Sequence, residues 1–149
     1  MTIDGQVTRI DFYTGASDKV GVACRIAAKA MSQKLRVLIL AADEAMLARV
    51  DRELWMQPAV GFVPHCRANA AIAAETPVLL SIDAGDPPHD QVLVNLHDAT
   101  PSTFARFKRL VEIVSQDDSD KQRARDRFRY YKDRGYEIKT HDLAAPGGR

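Results

Sequence analysis

Four histidines and two cysteines are the residues with the most chemistry to offer in this sequence. His65, His89, His97 and His141 lie far apart, whereas a zinc site needs ligands at short, fixed spacing beside a thiolate or carboxylate. His65 and Cys66 are adjacent, so in extended backbone their side chains point to opposite sides. Cys24 falls on an apolar helix face, and no Ser-His-Asp or Cys-His set stands out. No catalytic residue, metal site or cofactor is expected. The turn Tyr13-Thr14-Gly15-Ala16-Ser17-Asp18 follows the first predicted strand with one glycine, where a dinucleotide fingerprint needs three. There is no GxxxxGK[ST] either.

Two segments remain. Residues 121–134 hold seven basic side chains against two acidic ones, a local charge of about +5. On a helical wheel Arg125, Arg129 and Lys132 fall within about 80° of Lys121 and form one cationic stripe. Ala124, Phe128 and Tyr131 form an apolar stripe at its edge, and Arg123, Arg127 and Arg134 gather on the far side. An anionic ligand with an apolar end would suit Arg125 and Arg129 beside Phe128. The other reading is a solvated helix whose Asp117, Asp118 and Asp120 complement the dipole at its start. The second segment, Leu54 to His65, carries Trp55, Phe62, Pro58 and Pro64. Read from its residues alone, it covers the core with its aromatics; the other reading is a protein-binding anchor.

These segments must be held by a fold of one domain. A chain of 149 residues with 46% hydrophobic and 28% charged positions suits a single core. The formal net charge of +1 argues against a general polyanion binder. No basic-then-apolar leader and no run of about 20 apolar residues is present, so a cytoplasmic protein is expected. Alternation predicts a strand over Gln6–Tyr13, and a helix follows with Ser17 as N-cap and Asp18 near the positive end of its dipole, burying Val20, Ala23, Cys24, Ala27 and Met31. Val37–Leu40, Val78–Ile82 and Val92–Leu96 read as strands covered on both faces. Asp43 opens a second helix that buries Met46, Leu47, Val50 and Leu54. A short helix from Pro101, a strand over Leu110–Val114 and the basic helix to Arg134 follow, with Gly135 as its stop. Tyr136 and Ile138 suggest a last edge strand. The expectation is one three-layer α/β domain over residues 1–149 with a mainly parallel sheet, its tail flexible from about residue 141.

In this order and spacing the two segments resemble the chi subunit of the bacterial DNA polymerase III holoenzyme. The likeness rests on Asp11-Phe12-Tyr13, Arg36-Val37-Leu38-Ile39, Leu54-Trp55 with Pro58, and Phe62-Val63-Pro64-His65. It continues through Lys121, Ala124-Arg125, Arg127, Phe128 and Gly135-Tyr136. The resemblance implies a Rossmann-like α/β fold and a replication accessory subunit without catalysis of its own, linking the clamp loader to single-stranded DNA-binding protein. It implies a site for that protein's acidic C-terminal tail, which ends in Ile-Pro-Phe, on Val114, Lys121, Arg125, Phe128 and Arg129. Family members often carry Tyr-Lys where this chain has Phe128-Arg129, which removes a hydroxyl and keeps the cation. The resemblance also implies that Trp55, Pro58, Phe62, Val63 and Pro64 meet the psi subunit or a repair helicase. The protein would be cytoplasmic, at the nucleoid through the replisome, and would meet DNA mainly indirectly and no membrane. The alternative is direct nucleic-acid binding by the basic helix.

Overall fold

The computed structural model describes residues 7–56, 62–83, 85 and 89–144. Among them seven strands form one parallel sheet in the order β3-β4-β2-β5-β6-β1-β7. The strands are β1 (Arg9–Ala16), β2 (Val37–Leu40), β3 (His65–Arg67), β4 (Val78–Ser81), β5 (Val92–Asn95), β6 (Arg109–Ser115) and β7 (Ile138–Asp142). Three helices cover the sheet: α1 (Lys19–Ser32), α2 (Glu44–Met56) and α3 (Asp118–Asp133).

Side chains alternate across a strand, and the core divides accordingly. On one face, Ile39, Val94, Val111 and Ile113 pack with Val20, Ala23 and Ala27 of α1 and Leu47, Val50 and Leu54 of α2. On the other, Phe12, Leu38, Leu93, Leu110 and Val114 pack with Ala124 and Tyr131 of α3 and with Phe104 and Phe107. This is the expected three-layer, Rossmann-like α/β architecture. β2 and β5 are buried at every position, which is why their sequences are unbroken apolar runs.

Several boundaries differ from the sequence reading. The first strand starts at Arg9 and runs on to Ala16, Val7 before it is 56% exposed, and Gln6, the expected start, lies outside the described residues. The α1 N-cap is Asp18, whose side chain makes no capping bond, rather than Ser17. Asp43 does open α2, accepting from the Met46 amide at 2.8 Å. The expected helix from Pro101 is a single 3-10 turn, Phe104–Arg106. β3 was not anticipated at all: it is three residues long and pairs only with β4 at the sheet edge. β7 extends to Asp142, and Leu143 packs against the core, its amide donating to the Thr14 carbonyl at 2.8 Å.

Candidate functional site

β1 and β6 are neighbours, yet the chain leaves β1 into α1 on one face and β6 into α3 on the other. Such a divergence at the carboxyl ends of parallel strands is where α/β domains usually take an anionic ligand. Here the chain's own carboxylates occupy it. Asp117 caps α3 by accepting from the Asp120 amide at 3.3 Å and from the Ser119 hydroxyl. These two bonds hold the Asp117 carboxyl below its ordinary range. Asp120 accepts from the Ser115 amide at 2.8 Å and pairs with Lys19 Nζ of α1 at 3.2 Å. Burial alone would raise the Asp120 carboxyl, but Ser115 and Lys19 outweigh it and the net shift is downward. The two helix starts are therefore stapled together by an ion pair, and an incoming phosphate there would meet carboxylates.

The open space lies to one side, between α3 and the outer strands β1 and β7. This groove holds about 950 Å³ and is lined by Phe12, Val114, Ala124 and Phe128 below and Lys121, Arg125, Arg129 and Lys132 along α3. Thr14, Thr140 and Asp142 form the opposite wall. The Phe12 and Phe128 rings meet edge-on at 5.3 Å, so the floor is aromatic and fixed. The rim is cationic and only lightly engaged. Arg129 pairs loosely with Asp126 at 3.6 Å, both largely exposed, and Arg125 donates to Gln122 at 3.4 Å. Lys132 Nζ stands 6.0 Å from the Phe128 ring centre. Lys121 and Lys132 form no ion pair with any described residue.

A buried charge sets how α3 faces this groove. Glu112 of β6 is fully buried. It accepts from Arg127 Nε at 3.0 Å, Tyr131 Oη at 2.5 Å and Asn95 Nδ2 at about the same distance as Arg127. Burial pushes the Glu112 carboxyl up, with Arg127, Tyr131 and Asn95 pulling against it. The Tyr131 phenol is raised in turn, by burial and by the facing carboxylate. Arg127 also donates to the Asp98 carbonyl at 2.6 Å. The wheel placed Arg127 on the outer side; the structure turns it inward because β6 offers a carboxylate there. The signal for this pair was a lone Glu within the apolar run Leu110–Val114.

All five residues assigned to the tail site thus line one groove. Lys132, Phe12 and Ala124 join them. The Trp55 group is spread differently. Trp55 is 61% exposed and Phe62 68%, with ring centres 6.0 Å apart, and Met56 is exposed beside them. Covering the core, the reading from the residues alone, is therefore not what these aromatics do. Val63 is buried, Pro64 is half-buried, and Pro58 lies outside the described residues. His65 anchors the patch: its ring meets the Val63 carbonyl at 2.7 Å and Asp51 at 3.0 Å and lies 5.0 Å from Trp55. Among the described residues no His/Cys/Asp/Glu group is arranged to hold a metal ion. Cys24 is buried with its thiol pushed up to about 12, by desolvation first and then by Glu53 and Asp18.

Fold and groove together define a Rossmann-like α/β domain that presents an aromatic floor under a cationic helix. Residues 7–139 match the family described as DNA polymerase III chi subunit, HolC. The chain is 38% identical to the DNA polymerase III subunit chi of Pseudomonas aeruginosa over 92% of its length and 98% of that protein's. It is 32% identical to that of Escherichia coli, over 85% of this chain and 86% of the relative. Against the Haemophilus influenzae protein the identity is 28%, over 82% and 85%. The chain belongs to the chi-subunit family of DNA polymerase III, accessory subunits in DNA replication. No described helix is long and apolar enough to cross a membrane.

Proposed function

We propose that this protein is a non-catalytic adaptor that binds the acidic C-terminal tail of single-stranded DNA-binding protein in the α3 groove. The observation that carries this reading is the lining itself: Val114, Phe128, Lys121, Arg125 and Arg129 meet around one space. A peptide of aspartates followed by an apolar C-terminal residue complements it. The carboxylates face the rim, and the aromatic end displaces water from Phe12 and Phe128. The exposed Trp55 and Phe62 would dock the psi subunit of the clamp loader or a repair helicase, so that the protein links that assembly to the tail. On this reading it works in the cytoplasm at the nucleoid.

The test is a calorimetric titration with a tail peptide and with the same peptide lacking its terminal Phe. Binding of the full peptide should be at least tenfold tighter and should weaken as salt rises. Equal affinity for both peptides would sink the proposal. Arg125→Ala should weaken binding severalfold rather than abolish it, because its guanidinium is solvent-exposed on the rim.

A further inference from the structure

On the face opposite the groove, the outer strands carry a second cationic surface. Parallel register places Arg9 beside Arg109, Asp11 beside Lys139, and Tyr13 beside His141, all on the α1 side of the sheet. α1 buries Val111 and Ile113 of β6 on that side. The columns on β1 and β7 stay open: Arg9 and Lys139 are exposed, and Tyr13 and His141 are half-exposed.

The centre of this face is built rather than incidental. Asp11, 2% exposed, accepts from Arg109 Nε at 2.9 Å through one oxygen and meets His141 Nε2 at 3.0 Å through the other. Arg109 also donates to the Tyr13 hydroxyl at 3.3 Å. The Tyr13 and His141 rings stack at 4.5 Å and 18°. A buried carboxylate thus orients a guanidinium and a flat aromatic pair at the surface. Both oxygens of Asp11 are engaged, so it leaves no free negative charge on the face. Tyr13 continues into a groove of about 500 Å³ against α1, with Val22 and Ile26 on its wall and Arg25 and Lys29 on its rim. Arg9, Arg25, Lys29 and Lys139 form no ion pair with any described residue.

We propose that this face binds single-stranded DNA. Unpaired cations flanking a fixed aromatic platform are the combination that tracks a phosphate backbone while stacking an unpaired base. A duplex would keep its bases from the platform, and an acidic peptide would leave the stacked rings unused. β1 spans about 26 Å, which limits the contact to a few nucleotides. The contact is weak by itself, in keeping with the net charge of +1. It gains strength when the tail groove on the other face holds the protein near a coated strand.

The test is fluorescence anisotropy of a labelled oligothymidine of about ten nucleotides with the full chain, first at low salt and then at rising salt. Wild type should bind, and binding should fall with salt. The double reversal Arg9→Glu with Lys139→Glu should lose about tenfold or more while keeping its thermal melt and its tail-peptide affinity. Arg125→Glu should lose the peptide and keep the oligonucleotide. An abasic oligonucleotide of equal length should bind about tenfold more weakly, as lost stacking requires. No wild-type binding at low salt would overturn the proposal. So would loss through Arg125→Glu instead of the double reversal, since α3 would then be the nucleic-acid surface. Equal binding of the abasic strand would overturn it too, leaving only general attraction between charges.

Discussion

Glu112 is a charge inside an otherwise apolar strand, and its partners explain its place. Arg127 and Tyr131 lie one helical turn apart and bind the same carboxylate. Two anchors at that spacing fix the rotation of α3, and with it the direction of Arg125, Phe128 and Arg129. Arg127→Met should therefore cost about 3–5 kcal/mol in urea unfolding, because it leaves a buried carboxylate without its cation. The pH dependence identifies the cause. Burial already holds Glu112 above its ordinary value, and without Arg127 it rises further. A carboxyl whose folded value is raised carries no penalty below its unfolded value, and the penalty grows as pH rises toward the folded one. The loss should accordingly be smaller at about pH 5 than at about pH 8; a loss independent of pH would point away from the carboxylate. The cation stripe was legible in the sequence because helical periodicity alone places it. Arg127 was not, since the wheel gives a direction without showing what the opposing strand offers.

Elements differ in how far local sequence determines them. α3 begins where Asp117 caps the Asp120 amide, and Asp117→Ala should cost about 1 kcal/mol, lowering the melting temperature by about 2–4 °C in a thermal scan. β7 is an edge strand of mostly polar residues, Ile-Lys-Thr-His-Asp, with no position fully buried. Its attachment depends on the ladder to β1 and on the His141 contact to Asp11. Burial alone would raise the Asp11 carboxyl, but His141 and Arg109 outweigh it and the net shift is downward. A depressed folded value stabilises fully above the unfolded one. That contribution is then lost as pH falls below about 4 through the folded value. Asp11→Asn should flatten the acid limb of a stability–pH curve and speed amide exchange at Lys139 to His141. An unchanged acid limb would show that the pair contributes nothing to folding. The buried strands β2, β4 and β5 were readable from their apolar runs. β3 was hidden because three residues directly after Pro64 carry no period, and β7 was only hinted at because an edge needs few apolar side chains.

At the scale of the whole molecule, the sheet separates the two protein-binding surfaces proposed above. The Trp55 patch sits by β3 at one edge, and the α3 groove sits over β6, β1 and β7 at the other. Four to six strand spacings lie between them, about 19–29 Å. That is beyond a Debye length of about 8 Å at physiological salt, and the all-parallel sheet between them is close-packed. The net charge of +1 hides this arrangement, because the cations that form the rim are offset by carboxylates elsewhere in the chain. A linker between two partners requires the surfaces to act independently, and sites this far apart usually add. Trp55→Ala with Phe62→Ala removes side chains already exposed, so unfolding stability should stay within about 0.5 kcal/mol of wild type. Its affinity for the tail peptide by calorimetry should match wild type within about twofold, or roughly 0.4 kcal/mol. A larger change would mean that the two edges are coupled through the sheet, and the molecule would then be a switch between partners rather than a fixed link.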